Sequence, residues 1–413
     1  MDSSAQRSAP QYIPGMDGLR ALALIFVIAC HTNNYYPPFP SGWLDRCVAL
    51  FLGAGWISVD LFFVLSGFLI TGILYASRET ANRFVNFYSR RALRIFPLYY
   101  LYLVLMLVWT FVRHDQHLSG LDWASLFFYF YNFRIVAVGH FAANFGHLWS
   151  LTVEEHFYML WPLLVFNLNR RVLMRICAGG ALLSLLLRIA VTHSYMGMRG
   201  SYVLTPCRLD GLLLGAWIAL AAVDPVFWAR VRRYYPAVAA VAFVSLVVMA
   251  IRQGHFYSAI FPNQFPGIRS SALLITWGIT PLAVVCGWIV ITASSGGPIT
   301  RFLELPVLRW LAKRSYGVYI YHFFILSTLG RHLIASHLLA RFPSWAAVLT
   351  VAAVVLILAT SIAAISYQFF ELPFLRLKRL FPAKHEMAPG ILPAGKPVAA
   401  VAAETREAVE IGA

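Results

Sequence analysis

Residues 345–365 read WAAVLTVAAVVLILATSIAAI, a stretch of 21 residues without a charged side chain. A helix needs about 20 apolar residues to cross the hydrocarbon core of a bilayer, so this stretch predicts a transmembrane helix. Similar runs recur along the whole chain, for example LYLVLMLVWTFV at 101–112. The sequence therefore predicts a polytopic membrane protein and not a soluble domain.

The composition supports this fold class. Of the 413 residues, 60% are hydrophobic and 12% are charged, whereas soluble proteins carry about twice that charged fraction. We predict an all-α integral membrane protein whose membrane domain, 17–380, lies between a short cytoplasmic segment, 1–16, and a disordered cytoplasmic tail, 381–413. That tail is rich in Pro, Gly and Ala, a composition typical of disorder. Ten spans are predicted, at 17–35, 49–76, 95–112, 147–167, 171–191, 205–223, 235–251, 271–293, 315–336 and 345–371.

The net charge of +16 is explained by topology and not by nucleic-acid binding. With the N-terminus in the cytoplasm, the inner loops hold fifteen Lys and Arg residues, the last segment adds four, and the outer side holds nine. Cytoplasmic loops carry such an excess under the positive-inside rule. We therefore expect both termini in the cytoplasm and membrane lipids, not nucleic acid, around the protein. Five scattered cysteines without a CxxC pair predict neither a disulfide framework nor a metal site.

Residues 121–140 are apolar enough to be an eleventh span. That assignment would place the basic NLNRR loop outside and reverse every later loop. We therefore predict a short re-entrant or interfacial segment on the outer side, because broken backbone is tolerated at membrane depth where it is buried in protein or lines a cavity.

Two ionisable residues flank the apolar part of the first span, GLRALALIFVIACH at 18–31. Because an α-helix turns 100° per residue, Arg20 and His31 share one face and lie roughly 16 Å apart along the axis. Ionisable groups inside spans are costly and usually face a partner or a cavity. Both side chains are therefore candidate functional groups.

Two acidic residues fall at a similar depth. Counted from the inner ends of their spans, His31 lies roughly 21 Å, Asp60 roughly 24 Å and Glu154 roughly 20 Å above the cytoplasmic side. A histidine beside a carboxylate is a suitable general base, because the carboxylate fixes the imidazole tautomer. The alternative is a structural polar cluster that holds three helices together, and the shared depth favours function.

Arg91 and Arg94 lie three residues apart at the start of the third span and so are neighbours on one helix face. Such a pair is often only a topology anchor, but guanidinium groups also bind phosphate in a bidentate way. With Arg20 they suggest a cytosolic ligand that has phosphates at one end and a reactive group on a long arm. Coenzyme A thioesters have this form, and the sequence has no P-loop and no GxGxxG motif.

Several stretches, taken in order, make the chain similar to membrane acyltransferases of acyltransferase family 3. The family's basic residue, ten residues and histidine correspond to Arg20 and His31, and its RxxR pair corresponds to Arg91 and Arg94. Further similar stretches are FFVLSGFLIT (62–71), HLWSLTVEEHFYMLWP (147–162), CRLDGLLLGAWIA (207–219), SYGVYIYHF (315–323) and FFELPFLRL (369–377). The resemblance extends from about residue 12 to residue 380.

The resemblance implies a bacterial cytoplasmic-membrane enzyme that O-acylates a carbohydrate. It implies His31 as the catalytic histidine, Arg20 as its essential partner, Arg91 and Arg94 in acyl-CoA handling, and Glu154 as the key acidic residue. Some family members carry an additional extracytoplasmic esterase-like domain, which we expect this chain to lack. His156 stands where glutamine is common in the family, a departure that predicts altered acceptor contacts.

We therefore expect an acyl group, most simply acetyl from acetyl-CoA, to be transferred to the hydroxyl of a carbohydrate or glycoside, without a metal. His31 would remove the hydroxyl proton, oriented by Asp60 or Glu154, or would itself carry the acyl group. The competing class is a transporter or flippase for a lipid-linked sugar or small anion, since ionisable groups at membrane depth also mark transporters. Transporters usually show paired halves, whereas here the candidates concentrate in the first four spans.

Two further residues are weaker candidates. Asp210 follows Arg208 near the outer end of the sixth span, and a local ion pair between them is the simpler explanation. His322 is placed roughly 10 Å above the inner surface by the predicted start of its span. There it would line the CoA path or, more simply, have a packing role.

Overall fold

The computed structural model describes residues 12–35, 42–113, 118–142, 144–253, 273–335 and 343–382. Within these ranges the chain is helical and contains no strand, which confirms the all-α class. Most of the predicted tail, from residue 383 onward, and residues 1–11 lie outside the described residues. The α-helices are α1 (Met16–Tyr35), α2 (Trp43–Gly53), α3 (Ile57–Ala76), α4 (Arg83–Arg113), α5 (Gly120–Phe127), α6 (Tyr131–Val138), α7 (Leu148–Asn167), α8 (Arg170–Thr192), α9 (Gly197–Val203), α10 (Leu209–Ala221), α11 (Pro225–Gln253), α12 (Ile279–Ala293), α13 (Pro298–Leu303), α14 (Pro306–Ala335), α15 (Ser344–Ser366) and α16 (Leu372–Arg376). Short 3-10 turns occupy Ala54–Trp56, Thr205–Cys207 and Leu377–Leu380, and π-helical turns occupy Leu274–Gly278 and Tyr367–Glu371.

Each of the ten predicted spans falls on a helix. Among the described residues, six helical stretches are long and apolar enough to cross a membrane, and they contain α3, α4, α8, α11, α12 and α15. The remaining predicted spans fall on α1, α7, α10 and α14, the helices that carry His31, Glu154, Asp210 and His322. The count of ten spans and the cytoplasmic termini remain predictions.

Three helices begin well before the spans predicted for them. Helix α4 begins at Arg83 instead of residue 95, α11 at Pro225 instead of 235, and α14 at Pro306 instead of 315. Hydropathy marks only the apolar part of a helix, and these helices continue into polar residues on the predicted cytoplasmic side. As a result Arg91 and Arg94 lie within a helix, about two to three turns from its start.

The apolar segment at 121–140 forms two short helices and not a span. Helices α5 and α6 contain 8 residues each and so rise about 12 Å, well short of the bilayer core. They are separated at Tyr129, whose φ of 57° lies in the left-handed region. Ser119 and Asp122 form a capping box that begins α5. This geometry agrees with the interfacial or re-entrant segment and not with an eleventh span.

The closest helix pair at the centre of the bundle is α3 with α10. A methyl group at Gly67 would collide with the main chain at Leu212, and one at Gly215 would collide with the main chain at Val64. The two glycines therefore allow the backbones to approach, the small-residue packing that membrane helices commonly use. This approach places the start of α10 directly behind the outer half of α3.

The N-terminal end of α1 is fixed to the segment between α13 and α14. Glu304 accepts a hydrogen bond from the Tyr12 hydroxyl at 2.8 Å and another from the backbone N–H of Gly15 at 2.6 Å. Gly15 has a φ of +82°, a conformation that L side chains rarely adopt. Helix α1 then runs between α3 and α14, which places its polar face in the interior.

The α3–α10 contact predicts that Gly215→Ala destabilises the protein, because the added methyl group forces the two main chains apart. Overpacking of this kind costs about 1–3 kcal/mol, which would lower the thermal unfolding temperature of the purified protein in detergent. The matched control is Gly179→Ala in α8, where an added Cβ meets nothing within 4 Å. Equal unfolding temperatures for the two variants would contradict the close contact.

Candidate active site

A cavity of about 360 Å³ lies between α1, α3, α4, α7 and α14. It extends to Ser77, Arg83 and Pro382 at the predicted cytoplasmic ends of the helices, and we call it the inner cavity. Four of the six predicted site residues line it together: Arg20, Arg91, Arg94 and Glu154.

The inner cavity is strongly basic. Besides the three predicted arginines it is lined by Arg83, Arg90 and Lys378, and Glu154 is the single carboxylate among its described lining residues. Its remaining wall is largely apolar, with Phe62, Phe63, Leu69, Ile70, Ile73, Leu74, Phe87, Ile95, Leu151 and Phe166. An anion with an apolar arm fits such a cavity, because cations at the mouth neutralise the charge and the apolar wall covers the arm.

Glu154 is fixed by two hydroxyl groups. The Ser66 hydroxyl donates to Glu154 Oε1 at 2.6 Å, and the Tyr158 hydroxyl lies 3.1 Å from Glu154 Oε2 and 2.8 Å from Ser66 Oγ. The Arg91 guanidinium carbon lies 3.8 Å from the centroid of the Tyr158 ring, a cation–π contact. Glu154 and Arg91 are thus joined through Tyr158 into one rigid wall of the cavity.

The other two arginines differ in their partners. Arg20 Nη1 lies 3.4 Å from Asp17 Oδ1, one turn earlier on α1. Arg94 is exposed and makes no hydrogen bond or salt bridge with the described residues. Since it lines the inner cavity, its guanidinium is available to an anionic ligand.

His31 lies in a second, smaller space on the opposite side. This outer pocket, of about 90 Å³, is formed by the outer ends of α1, α3 and α7 with parts of α9 and α14. Its walls are mainly aromatic: Trp56, Phe141, His147, Trp149, Tyr202 and Phe323. Val59 and Tyr319 line both the outer pocket and the inner cavity. These two side chains therefore form the boundary between the two spaces.

His31 is paired with a histidine that lies 291 positions later in the sequence. His31 Nδ1 and His322 Nε2 are 2.8 Å apart, and the two rings are parallel within 5°. His322 Nδ1 lies 2.6 Å from the backbone oxygen of Tyr319. His147 packs against this pair, with its ring centroid 5.1 Å from that of His322. A chain of two imidazoles thus ends on a main-chain carbonyl.

The prediction that Asp60 or Glu154 orients His31 is wrong, since His322 occupies that position. The depth assigned to His322 was also wrong, because α14 begins at Pro306, nine residues before the predicted span. Counted from Pro306, His322 lies about 24 Å along the helix, level with His31 at about 22 Å from Met16. The error came from measuring depth from the apolar segment and not from the helix start.

Asp60 is bound to a residue that the sequence placed at the edge of a span. Arg208 Nη2 donates to Asp60 Oδ1 at 2.9 Å, and both side chains are at most 1% exposed. A buried charge requires an opposite partner, and the α3–α10 approach supplies it. The rings of Phe63, Trp149 and Tyr202 surround the guanidinium at 5.0–5.6 Å.

A second buried ion pair lies beside the first. Arg188 Nη2 donates to Asp210 Oδ2 at 2.8 Å, and the Thr280 hydroxyl donates to the same oxygen at 2.7 Å. Arg188 also donates to the backbone oxygen of Cys207 at 2.6 Å. The expected local pair between Asp210 and Arg208 is therefore wrong: α8 supplies the direct partner of Asp210, and Arg208 binds Asp60.

His156, which stands where glutamine is common in the family, lies outside both spaces. Its Nδ1 lies 2.7 Å from the Thr205 hydroxyl, and its ring packs against Phe130 and Phe133. It lines neither the inner cavity nor the outer pocket. The effect of His156 on acceptor contacts stays a prediction.

Two residues that matter for this site were missed or undervalued from the sequence. Arg188 interrupts the apolar run ALLSLLLRIAV, and a charge within a span is itself a signal that a partner exists. His322 lies in SYGVYIYHF, and counting from the proline that begins α14 would have placed it level with His31. Both signals were present in the sequence. The partners, Asp210 for Arg188 and His31 for His322, are visible only in the arrangement of the helices.

Comparison with known protein families identifies the family of the chain. The family model described as an acyltransferase domain matches residues 13–364, most of the chain. The chain belongs to this acyltransferase family. The match begins just before α1 and ends within α15, so it contains both histidines, the RxxR pair and both buried ion pairs.

Named relatives are O-acetyltransferases, and those of Listeria monocytogenes and, as a putative enzyme, Bacillus subtilis are named for peptidoglycan. OatA of Listeria monocytogenes is 31% identical over 394 residues, which cover 89% of this chain and 56% of that protein. OatA of Staphylococcus aureus is 28% identical over 380 residues, covering 88% and 57%. The putative enzyme YrhL of Bacillus subtilis is 30% identical over 390 residues, covering 88% and 55%. The chain thus spans little more than half the length of these relatives. No solved structure shows a significant match.

Membership of the acyltransferase family, together with the apolar helices, confirms the predicted location. The protein is a multi-pass protein of the bacterial cytoplasmic membrane. Family membership also favours an enzyme over the transporter or flippase that remained open from the sequence. Among the described residues no group of three or more His, Cys, Asp or Glu side chains is arranged to hold a metal ion.

The Arg208–Asp60 pair predicts a clear pattern of stabilities. Arg208→Met alone leaves the Asp60 carboxylate buried without its partner, which costs about 3–5 kcal/mol and lowers the unfolding temperature in detergent. Arg208→Met combined with Asp60→Leu removes both charges and should recover most of that loss. A double variant no more stable than the single variant would show that the ion pair is not the source of the effect.

Proposed function

We propose that this protein is a membrane O-acyltransferase that transfers an acetyl group from acetyl-CoA to a carbohydrate hydroxyl. The donor enters the inner cavity from the cytoplasm, and the acceptor reaches the outer pocket from the other side of the membrane. The proposed acceptor is a peptidoglycan sugar, as named for the Listeria monocytogenes relative.

The observation that carries this proposal is the junction of the two spaces. The basic inner cavity and the outer pocket share Val59 and Tyr319, and His31 lies on the outer side of this boundary, paired with His322. Donor and acceptor can therefore meet at one imidazole without either crossing the whole membrane. Bringing two substrates together in this way supplies much of the rate acceleration in group transfer.

The inner cavity suits a coenzyme A thioester. Arginine binds phosphate with two parallel hydrogen bonds, and Arg94 has no competing partner among the described residues. With the phosphates at the cytoplasmic mouth, the pantetheine arm lies along the apolar wall and the thioester reaches toward Tyr319. Arg20 lies on the same cavity wall and adds positive charge along the path.

If His31 is the base, the hydrogen-bond chain indicates which of its nitrogens accepts the proton. A carbonyl oxygen only accepts, so His322 Nδ1 carries the proton that it donates to Tyr319. A buried imidazole without a carboxylate partner is most stable neutral, so His322 Nε2 is an acceptor and His31 Nδ1 donates to it. The lone pair of His31 is therefore on Nε2, the nitrogen left free for the substrate.

The proposed reaction then follows from one nitrogen atom. The acceptor oxygen attacks the thioester carbonyl carbon while His31 Nε2 takes the hydroxyl proton. The new C–O bond forms, the C–S bond breaks, and the proton passes from Nε2 to the departing thiolate, which leaves as free CoA thiol. The two-step route, in which Nε2 first carries the acyl group, uses the same atom and the same His322 partner.

The two acidic candidates take supporting roles in this proposal. Glu154, held by Ser66 and Tyr158, balances the positive charge of Arg91 across the Tyr158 ring and keeps the arginine side of the cavity in place. Asp60 neutralises Arg208 behind the rings of Trp149 and Tyr202, which line the outer pocket. Neither carboxylate needs to move a proton.

The walls of the outer pocket restrict the acceptor. They are mainly aromatic around His31. Aromatic walls with a few polar groups are typical of small-molecule sites. An acceptor hydroxyl that reaches His31 is therefore enclosed mainly by aromatic side chains.

The test of this function is mass spectrometry of cell-wall and surface glycans from cells that lack the protein and are complemented with variants. We expect an acetyl mass on a glycan with the wild type and its loss with His31→Ala. The matched control is His193→Ala, which removes an exposed histidine at the end of α8. Full acetylation with His31→Ala would refute the assigned base, and unchanged glycans after deletion would refute the acceptor class.

The His31–His322 pair predicts a specific kinetic pattern. His322→Phe removes the acceptor for the His31 Nδ1 proton, so kcat should fall on the order of 10²-fold or more with little change in KM. His322→Gln retains an acceptor oxygen and should recover part of the rate. The measurement is steady-state turnover of acetyl-CoA by purified enzyme in detergent. Equal losses in both variants would show that the ring only fills space.

A further inference from the structure

Lys378 lies at the mouth of the inner cavity, on the 3-10 turn Leu377–Leu380 that follows α16. Its side chain is half-buried and lines the cavity, whereas its basic neighbours Arg376 and Arg379 are exposed and do not line it. All three residues belong to the same basic segment. Of these three basic residues, Lys378 alone lines the cavity.

The main chain that carries Lys378 is fastened to α4. Arg90 Nη1 donates to the backbone oxygens of Lys378 and Phe381, each at 3.0 Å. Helix α16 and the turn after it both pack on α4. The backbone contacts therefore fix the position of Lys378 beside the arginines of α4. This position does not depend only on the conformation of its long side chain.

The charges around Lys378 are unbalanced. Arg90, Arg91 and Arg94 line the same cavity, and Glu154 is the one carboxylate among its described lining residues. The Lys378 ammonium has no hydrogen bond or salt bridge among the described residues. Positive-inside topology accounts for cations in solvent, but it does not require four of them to converge on one concave surface, where they repel one another.

We infer that Lys378 binds the phosphate groups of the acyl donor, together with the arginines of α4. This inference rests on the proposed function, which supplies a phosphorylated donor in the inner cavity. A lysine ammonium is a compact point charge that binds phosphate without a fixed orientation, which complements the planar guanidinium groups across the mouth. Several converging cations match a group with several negative charges better than they match a single carboxylate.

The test compares two donors with purified full-length protein in detergent: acetyl-CoA, which carries the phosphates, and acetyl-pantetheine, which lacks them. Lys378→Ala should raise KM for acetyl-CoA roughly tenfold or more, the loss expected for a hydrogen bond to a charged group. It should leave kcat and the rate with acetyl-pantetheine unchanged. Lys378→Arg, which keeps the charge, should recover most of the affinity. Arg379→Ala and Arg376→Ala are the matched controls and should leave both donors unaffected.

Two results would overturn the inference and leave the proposed function intact. One is an unchanged KM for acetyl-CoA in Lys378→Ala, and the other is an equal loss with both donors, which indicates a structural role. A wild-type enzyme that turns over acetyl-pantetheine no worse than acetyl-CoA would also overturn it, because the phosphates would then contribute nothing. A wild type that uses neither thioester would instead refute the proposed donor, and the inference with it.

Discussion

A charge that lies inside a membrane-spanning bundle must either meet an opposite charge or line a polar cavity, and this constraint organises the protein. Arg208 with Asp60 and Arg188 with Asp210 satisfy it by pairing, each fully buried. The arginines of α4 satisfy it by lining the inner cavity. Removing one member of a buried pair leaves the other without compensation, so the pairs fix how α3, α8 and α10 are arranged.

The same constraint divides the helices into two groups. Helices α4, α8, α11 and α15 are apolar and largely unburied within the protein, as expected for faces in contact with lipid. Helices α1, α7, α10 and α14 carry ionisable groups that lie in the interior, and α10 is apolar but only 13 residues long. The glycine contact between α3 and α10 joins the two buried ion pairs to the wall of the site. Stability and site geometry thus depend on the same small set of contacts.

The proposed chemistry depends on a chain of hydrogen bonds in the interior of the bundle. Tyr319 contributes a backbone acceptor to His322 and a side chain to the boundary between inner cavity and outer pocket. Its hydroxyl is itself held by Ser150 and by the backbone of His147. One residue of α14 therefore sets the tautomer of the histidine pair and, in the proposed reaction, the place where donor and acceptor meet.

The sequence by itself determined the all-α membrane class, a helix at each predicted span, and the family through its ordered motifs. It also predicted that Arg20, Arg91 and Arg94 serve one ligand on the cytoplasmic side, but it grouped Glu154 with His31 and Asp60, whereas the structure places Glu154 with the arginines. Only the tertiary structure decided that His322 forms a hydrogen bond with His31 and that Asp60 forms a salt bridge with Arg208. Helical periodicity and depth describe one helix at a time, whereas a hydrogen bond between residues hundreds of positions apart depends on which helices pack together and at what register.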